Sequence, residues 1–97
     1  MRAFFLTDHD TPARLSDVAV PEPAKGEIRL RIAACGLNFA DLLMQKGTYQ
    51  DTPALPFVLG MEVSGIVDAT APDVNDFAPG DRVAVFGGQG GLADYGC

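Results

Sequence analysis

Residues 35–67, CGLNFADLLMQKGTYQDTPALPFVLGMEVSGIV, join a short amphipathic run, a proline-punctuated connection and a Gly-Met-Glu step. Asn38 is a favoured helix N-cap, Gly47 is a favoured stop, and between them Phe39, Leu42, Leu43 and Lys46 recur at helical spacing, which predicts one helix of about two turns. Residues 48–60 carry Pro53, Pro56 and Gly60 and read as an ordered loop. From Met61 to Asp68 the apolar residues Val63, Ile66 and Val67 predict a strand.

Outward from this stretch the chain reads as short strands. Arg2 to Thr7 is an apolar run closed by Asp8, His9 and Asp10; Leu15, Val18 and Val20 form a second extended segment that ends in Pro21-Glu22-Pro23. Prolines cannot donate to a sheet ladder, so that segment belongs at an edge or in a connection. Ile28-Arg29-Leu30-Arg31-Ile32 alternates apolar and charged residues with period two, the clearest strand of the chain. A polar connection over residues 71–79 leads through Gly80-Asp81 to Arg82–Phe86, and Gly87-Gly88-Gln89-Gly90-Gly91 separates that strand from Leu92-Ala93-Asp94-Tyr95 as a flexible hairpin. Many short strands, one helix and frequent Gly or Pro predict a mainly β fold, a compact barrel or barrel-like sheet.

The 97 residues make one domain at most, with 47% apolar and 21% charged residues and no low-complexity tract, a globular composition. A net charge of −6 repels phosphates, which argues against nucleic acid or an anionic membrane surface as a partner. No run approaches the roughly 18 apolar residues of a membrane helix, and MRAFFLTDHD lacks the pattern of a secretion signal, so the cytoplasm is the expected location. Cys35 and Cys97 are expected to be reduced, buried small hydrophobes. Cys97 closes a strand-like segment, and the chain reads there as cut rather than finished.

Several chemistries find no support. The glycine-rich run after Phe86 does not open a helix and has no Lys-Ser or Lys-Thr, so it is a turn and not a phosphate cradle. His9, the only imidazole, sits between two aspartates in a turn and reads as solvated. Zinc needs three or four converging ligands, and neither cysteine has a C-x-x-C partner. Ser16 and Ser64 lack the surroundings of an activated nucleophile. Two carboxylates stand apart: Asp41 in the first helical turn, where the helix dipole favours a negative charge, and Glu62 within an apolar strand. From the residues alone each reads either as a structural acid, partly buried in the case of Glu62, or as part of a site.

Four blocks, Gly36 to Asp41, Lys46 to Tyr49, Pro56 to Val67 and Phe77 to Val83, together resemble the N-terminal domain of the medium-chain dehydrogenase/reductase superfamily. The resemblance implies a GroES-like β-barrel catalytic domain over residues 1–97, which in the family precedes a Rossmann domain that binds NAD(P)H and is absent from these residues. Zinc-dependent members carry a cysteine where this chain has Asn38 and a histidine where it has Met61, and their cysteine-rich lobe has no counterpart here. Asn and a thioether are poor zinc ligands, so no metal is expected. A zinc-free member is similar to the quinone oxidoreductase, or zeta-crystallin-like, branch.

That branch implies an NADPH-dependent oxidoreductase that passes hydride to small-molecule quinones or α,β-unsaturated carbonyls, the full-length protein being a homodimer and the fragment alone inactive. The resemblance assigns Asn38 and Tyr49 to catalysis and Asn38, Asp41 and Tyr49 to the cofactor cleft. Many quinone oxidoreductases have an arginine where this chain has Gln45 and a proline where it has Phe39. The alternative is a stand-alone, non-catalytic binding or structural module built on the same barrel.

Overall fold

The computed structural model describes residues 1–97 as seven strands and one helix. In chain order these are β1 (Arg2–Leu6), β2 (Arg14–Asp17), β3 (Ile28–Gly36), α1 (Phe39–Lys46), β4 (Phe57–Val58), β5 (Glu62–Thr70), β6 (Arg82–Phe86) and β7 (Tyr95–Gly96). All pairing is antiparallel, in two open sheets of order β2-β1-β4 and β6-β5-β3-β7. A bridge between Ala3 and Ala93 joins the sheets, flanked by hydrogen bonds from Phe4 N–H to Leu92 O (2.7 Å) and from Asp94 N–H to Arg2 O (3.1 Å). The mainly β, barrel-like expectation holds, with a single seam closed where the segment before β7 lies along β1.

The alternation that predicts β3 continues beyond Ile32, but an extra residue resets its phase. Ile32 pairs with Gly65 while Ala34 pairs with Ser64, leaving Ala33 unmatched in a bulge. Ala33 and Ala34 are both exposed and Cys35 is half-buried. A second irregularity, on β5 at Asp68, lies opposite Arg29 and Leu30. Arg29 grips Asp68 there with two nitrogens, Nε at 2.8 Å and Nη2 at 2.7 Å, reaches Glu22 at 3.3 Å, and lies 5.8 Å from the centre of the Tyr95 ring. This knot fastens the Pro21–Pro23 connection and β7 to the longest strand pair.

The main core lies between α1 and the smaller sheet: Leu6, Ala13, Met44, Phe57, Leu59 and Met61. Residues 48–60, expected as loop throughout, include β4, whose Phe57 and Val58 pair with Leu6 and Phe5. The two strand residues Phe57 and Val58 are too few to show periodicity; the partner β1 makes them a strand. The helix is where its caps predict, but its apolar stripe is not its buried face. Phe39 and Leu42 are 74% and 60% exposed and Leu43 is only half-buried, whereas Asp41 and Met44 are buried.

The glycine run is not a hairpin. β6 lies at one edge of the larger sheet and β7 at the other, so residues 87–91 cross between them. They do so against the backbone of residues 58–61. Gly87 and Gly88 donate to Met61 O (2.8 and 3.1 Å), Gly90 to Val58 O (2.7 Å), Gly91 to Gly60 O (3.0 Å), and Leu92 to Leu59 O (2.8 Å). Glycine is needed for that approach: a Cβ on Gly91 would come within 2.7 Å of Val63 Cγ1, and one on Gly60, at φ +105°, within 2.5 Å of Leu92 N. These amides are committed to carbonyls, which removes the donors a phosphate would need.

Candidate functional site at the start of helix α1

Asn38 stands at the N-cap with extended backbone, φ −128° and ψ 152°. Three residues on, the Asp41 carboxylate turns back and its Oδ2 accepts the Asn38 N–H at 2.9 Å, the reach-back half of a capping box. Its other oxygen, Oδ1, accepts the N–H of Gly60 at 3.2 Å. Asp41 is 8% exposed, so a charged side chain is held inside by two backbone amides and by the positive end of the helix. It clamps the start of α1 to the connection between β4 and β5. Sequence reasoning placed Asp41 beside the cofactor; the geometry gives both of its oxygens backbone work.

The Asn38 side chain differs from its neighbours in one respect. Its Nδ2 is buried and has no hydrogen-bond partner, an uncommon state for a buried donor. Tyr49 lies just beyond the Gly47 stop, half-buried, with its body packed against the main core. Its carbonyl accepts the Thr52 N–H at 3.1 Å, and its hydroxyl makes no hydrogen bond within the chain. Thus Asn38 and Asp41 are in direct contact, Tyr49 shares no hydrogen bond with either, and α1 is the element that links the two candidate donors.

The other chemistry-bearing side chains are packed, held by backbone or turned to the surface. Met61 is 5% exposed and belongs to the main core, so its thioether is engaged in packing. Burial first, and then the charge of Asp41, push the Cys35 thiol above its ordinary range, leaving it protonated at neutral pH. Glu62 is exposed, not partly buried as its strand position implied; its side chain folds across Gly36, its partner on β3, where a Cβ would collide with it. His9 is also not simply solvated. It is half-buried, its Nδ1 lies 3.2 Å from Gln45 O, and its ring stands where a Cβ on Gly47 would be. No three His, Cys, Asp or Glu side chains converge in a metal-binding group.

A residue that sequence reasoning left as punctuation, Gly60, proves central: it gives its N–H to Asp41 and its carbonyl to Gly91. The available signal was a glycine set between two apolar residues, Leu59-Gly60-Met61.

Comparison with known proteins decides the family. The alcohol dehydrogenase GroES-like domain model matches residues 24–96. The chain belongs to the alcohol dehydrogenase GroES-like domain family. Among curated relatives, this GroES-like domain is 44% identical over 84 residues to the mouse synaptic vesicle membrane protein VAT-1 homolog-like, covering 87% of the chain and 20% of that relative. It is 37% identical over 99 residues to the quinone oxidoreductase of Lama guanicoe, covering 98% of the chain and 30% of the relative. Among solved structures it is similar to the human VAT-1 homolog-like protein, with TM-score 0.87 and 40% identity over 98% of the chain and 31% of that structure. The Thermus thermophilus quinone oxidoreductase, also solved in complex with NADPH, aligns with TM-score 0.80 and 41% identity over 98% of the chain and 28% of that structure. The chain therefore spans less than a third of the length of these relatives, which place the GroES-like domain within the medium-chain dehydrogenase/reductase superfamily. No helix is long and apolar enough to cross a membrane.

Proposed function

We propose that residues 1–97 form the substrate-side domain of a zinc-independent, NADPH-dependent oxidoreductase acting on quinones or α,β-unsaturated carbonyls, in partnership with a Rossmann domain outside these residues. The observation that carries the reading is the Asn38 amide: a buried, unpartnered donor at the position where zinc-dependent members of the superfamily hold a cysteine. An orphaned donor of this kind fits a cleft that receives a polar ligand, and the carboxamide of a nicotinamide or a substrate carbonyl would complete it. Met61, at the position of the family's histidine ligand, is packed in the core and supports the zinc-free reading.

When bound, the reduced nicotinamide supplies the hydride. The chain's own part is positional and electrostatic. Asn38 and the unengaged Tyr49 hydroxyl donate hydrogen bonds to the oxygen on which charge develops, a role that fixed donors perform without a Lewis acid. Asp41 acts through Asn38, holding its backbone at the helix start. Asn38 and Tyr49 serve here as hydrogen-bond donors only, and the proton that completes reduction comes from water. The same reading places the full-length protein in the cytoplasm as a homodimer.

The test is NADPH oxidation by the full-length protein after exhaustive chelation, with a quinone or an enone as acceptor. Turnover that survives chelation is expected. Loss of activity that only added zinc restores would refute the zinc-free mechanism, and no turnover under any condition would favour a non-catalytic binding module.

A further inference from the structure

Gln45 departs from the arginine of many quinone oxidoreductases, and its surroundings give it a different task. Its Oε1 accepts the N–H of Ala13 at 2.8 Å, its Nε2 donates to Thr11 O at 3.0 Å, and its own carbonyl lies 3.2 Å from His9 Nδ1. All three contacts reach the connection between β1 and β2. The carboxamide is used at both ends, one acceptor and one donor, which no arginine, with donors only, reproduces. Ala13 is part of the main core, so the contact reaches the packing on which Tyr49 rests.

The helix is therefore held at both ends by different parts of the chain. Asp41 ties its start to Gly60, and Gln45 ties its last turn to residues 9–13. Eight residues make a rod of about 12 Å, too short to bend appreciably, so its two anchors together set its tilt. Asn38 precedes the rod and Tyr49 follows it by three residues.

We infer that Gln45 is a positioning residue: by anchoring the end of α1 to the β1–β2 connection it sets where the Asn38 amide and the Tyr49 hydroxyl stand. This rests on the proposed function for its catalytic consequence, but its structural half stands alone. Gln45→Met keeps length and bulk while removing both side-chain hydrogen bonds; Gln45→Glu keeps the acceptor for Ala13 and loses the donor to Thr11. Val67→Ala, in the core of the larger sheet and apart from the site, serves as a control of lowered stability.

Amide NMR of the 97-residue chain is the first arm. In Gln45→Met the Asn38 side-chain amide, the Gly60 N–H and the Tyr49 ring resonances should move, with a smaller movement in Gln45→Glu and none in Val67→Ala. Changes confined to Thr11, Ala13 and the last helical turn would overturn the inference. The second arm is kcat and KM of the full-length protein below the melting range of every variant. Displacement of the donors by a fraction of an ångström to 1 Å predicts a loss of about tenfold to 100-fold in kcat for Gln45→Met, partly recovered in Gln45→Glu, with Val67→Ala near wild type. Equal losses in Gln45→Met and Val67→Ala would reduce Gln45 to an ordinary stabilising contact. Absence of turnover in the wild type would refute the function, and the NMR arm would then decide the role of Gln45 by itself.

Discussion

Replacing Asp41 by alanine tests the clamp at the start of α1 most directly. The carboxylate serves two amides, Asn38 at 2.9 Å and Gly60 at 3.2 Å, and it is buried. Loss of the reach-back hydrogen bond at the helix start costs about 1 kcal/mol. The Gly60 N–H would then lose its partner inside the fold, and a buried donor left unpaired costs about 1–3 kcal/mol. Asp41→Ala should therefore destabilise the domain by about 2–4 kcal/mol, which lowers Tm by roughly 10 °C or more in a chain of this size. Asp41→Asn keeps one acceptor oxygen for two donors and should lose about half as much. Urea titration followed by circular dichroism, with m-values compared to exclude a change in the unfolded state, gives the number. A loss below about 0.5 kcal/mol for Asp41→Ala, within the range of ordinary surface changes, would refute the clamp. Equal losses for Ala and Asn would show that charge, and not the count of hydrogen bonds, is what matters there.

Gly60→Ala should destabilise by more than about 2 kcal/mol, since it combines φ +105° with a Cβ 2.5 Å from Leu92 N, whereas Gly26→Ala, at φ +78° in open space, should cost only about 1 kcal/mol for the backbone strain; similar losses at both would show that the glycine passage can yield. Cys97 is exposed, not buried as expected, because it lies past the end of β7; desolvation by its neighbours still raises its thiol value, as partial burial raises that of Cys35, so above the ordinary thiol range the unfolded chain holds fewer protons than the folded one. Stability should accordingly fall as pH rises from the ordinary thiol value through the raised ones, and a Cys35→Ala, Cys97→Ala variant should lose that slope in pH-dependent urea titrations. Alkylation of Cys35 in a Cys97→Ser variant should be slower folded than in urea at the same pH, and equal rates would contradict its burial. Asp68→Asn should weaken the knot around Arg29, lowering the urea midpoint by a difference that shrinks at high salt.

Much of the fold was legible because it depends on local rules. Asn38 and Gly47 mark the ends of α1, the alternation from Ile28 to Ile32 marks β3, and Gly80-Asp81 marks the turn before β6. Misreadings arose where partners far along the chain decide. β4 is a strand because β1 lies beside it, and residues 87–91 are a crossing because β7 pairs with β3 and not with β6. Glu62 stands in an apolar strand yet is exposed, since its rung of the sheet is shared with Gly36 and leaves it room to lie across the surface.

The same division runs through the candidate site. The sequence alone determined which residue types are present: Asn38 and Met61, which the family resemblance aligns with zinc-ligand positions, a tyrosine after the helix, and a carboxylate at its third residue, because residue identity and spacing are properties of the chain itself. Only the tertiary structure decided what those groups are free to do. Hydrogen bonds are spent on whichever partners packing brings near, so Asp41 became occupied by Gly60 and Gln45 by Thr11 and Ala13, while the Asn38 amide was left buried without one.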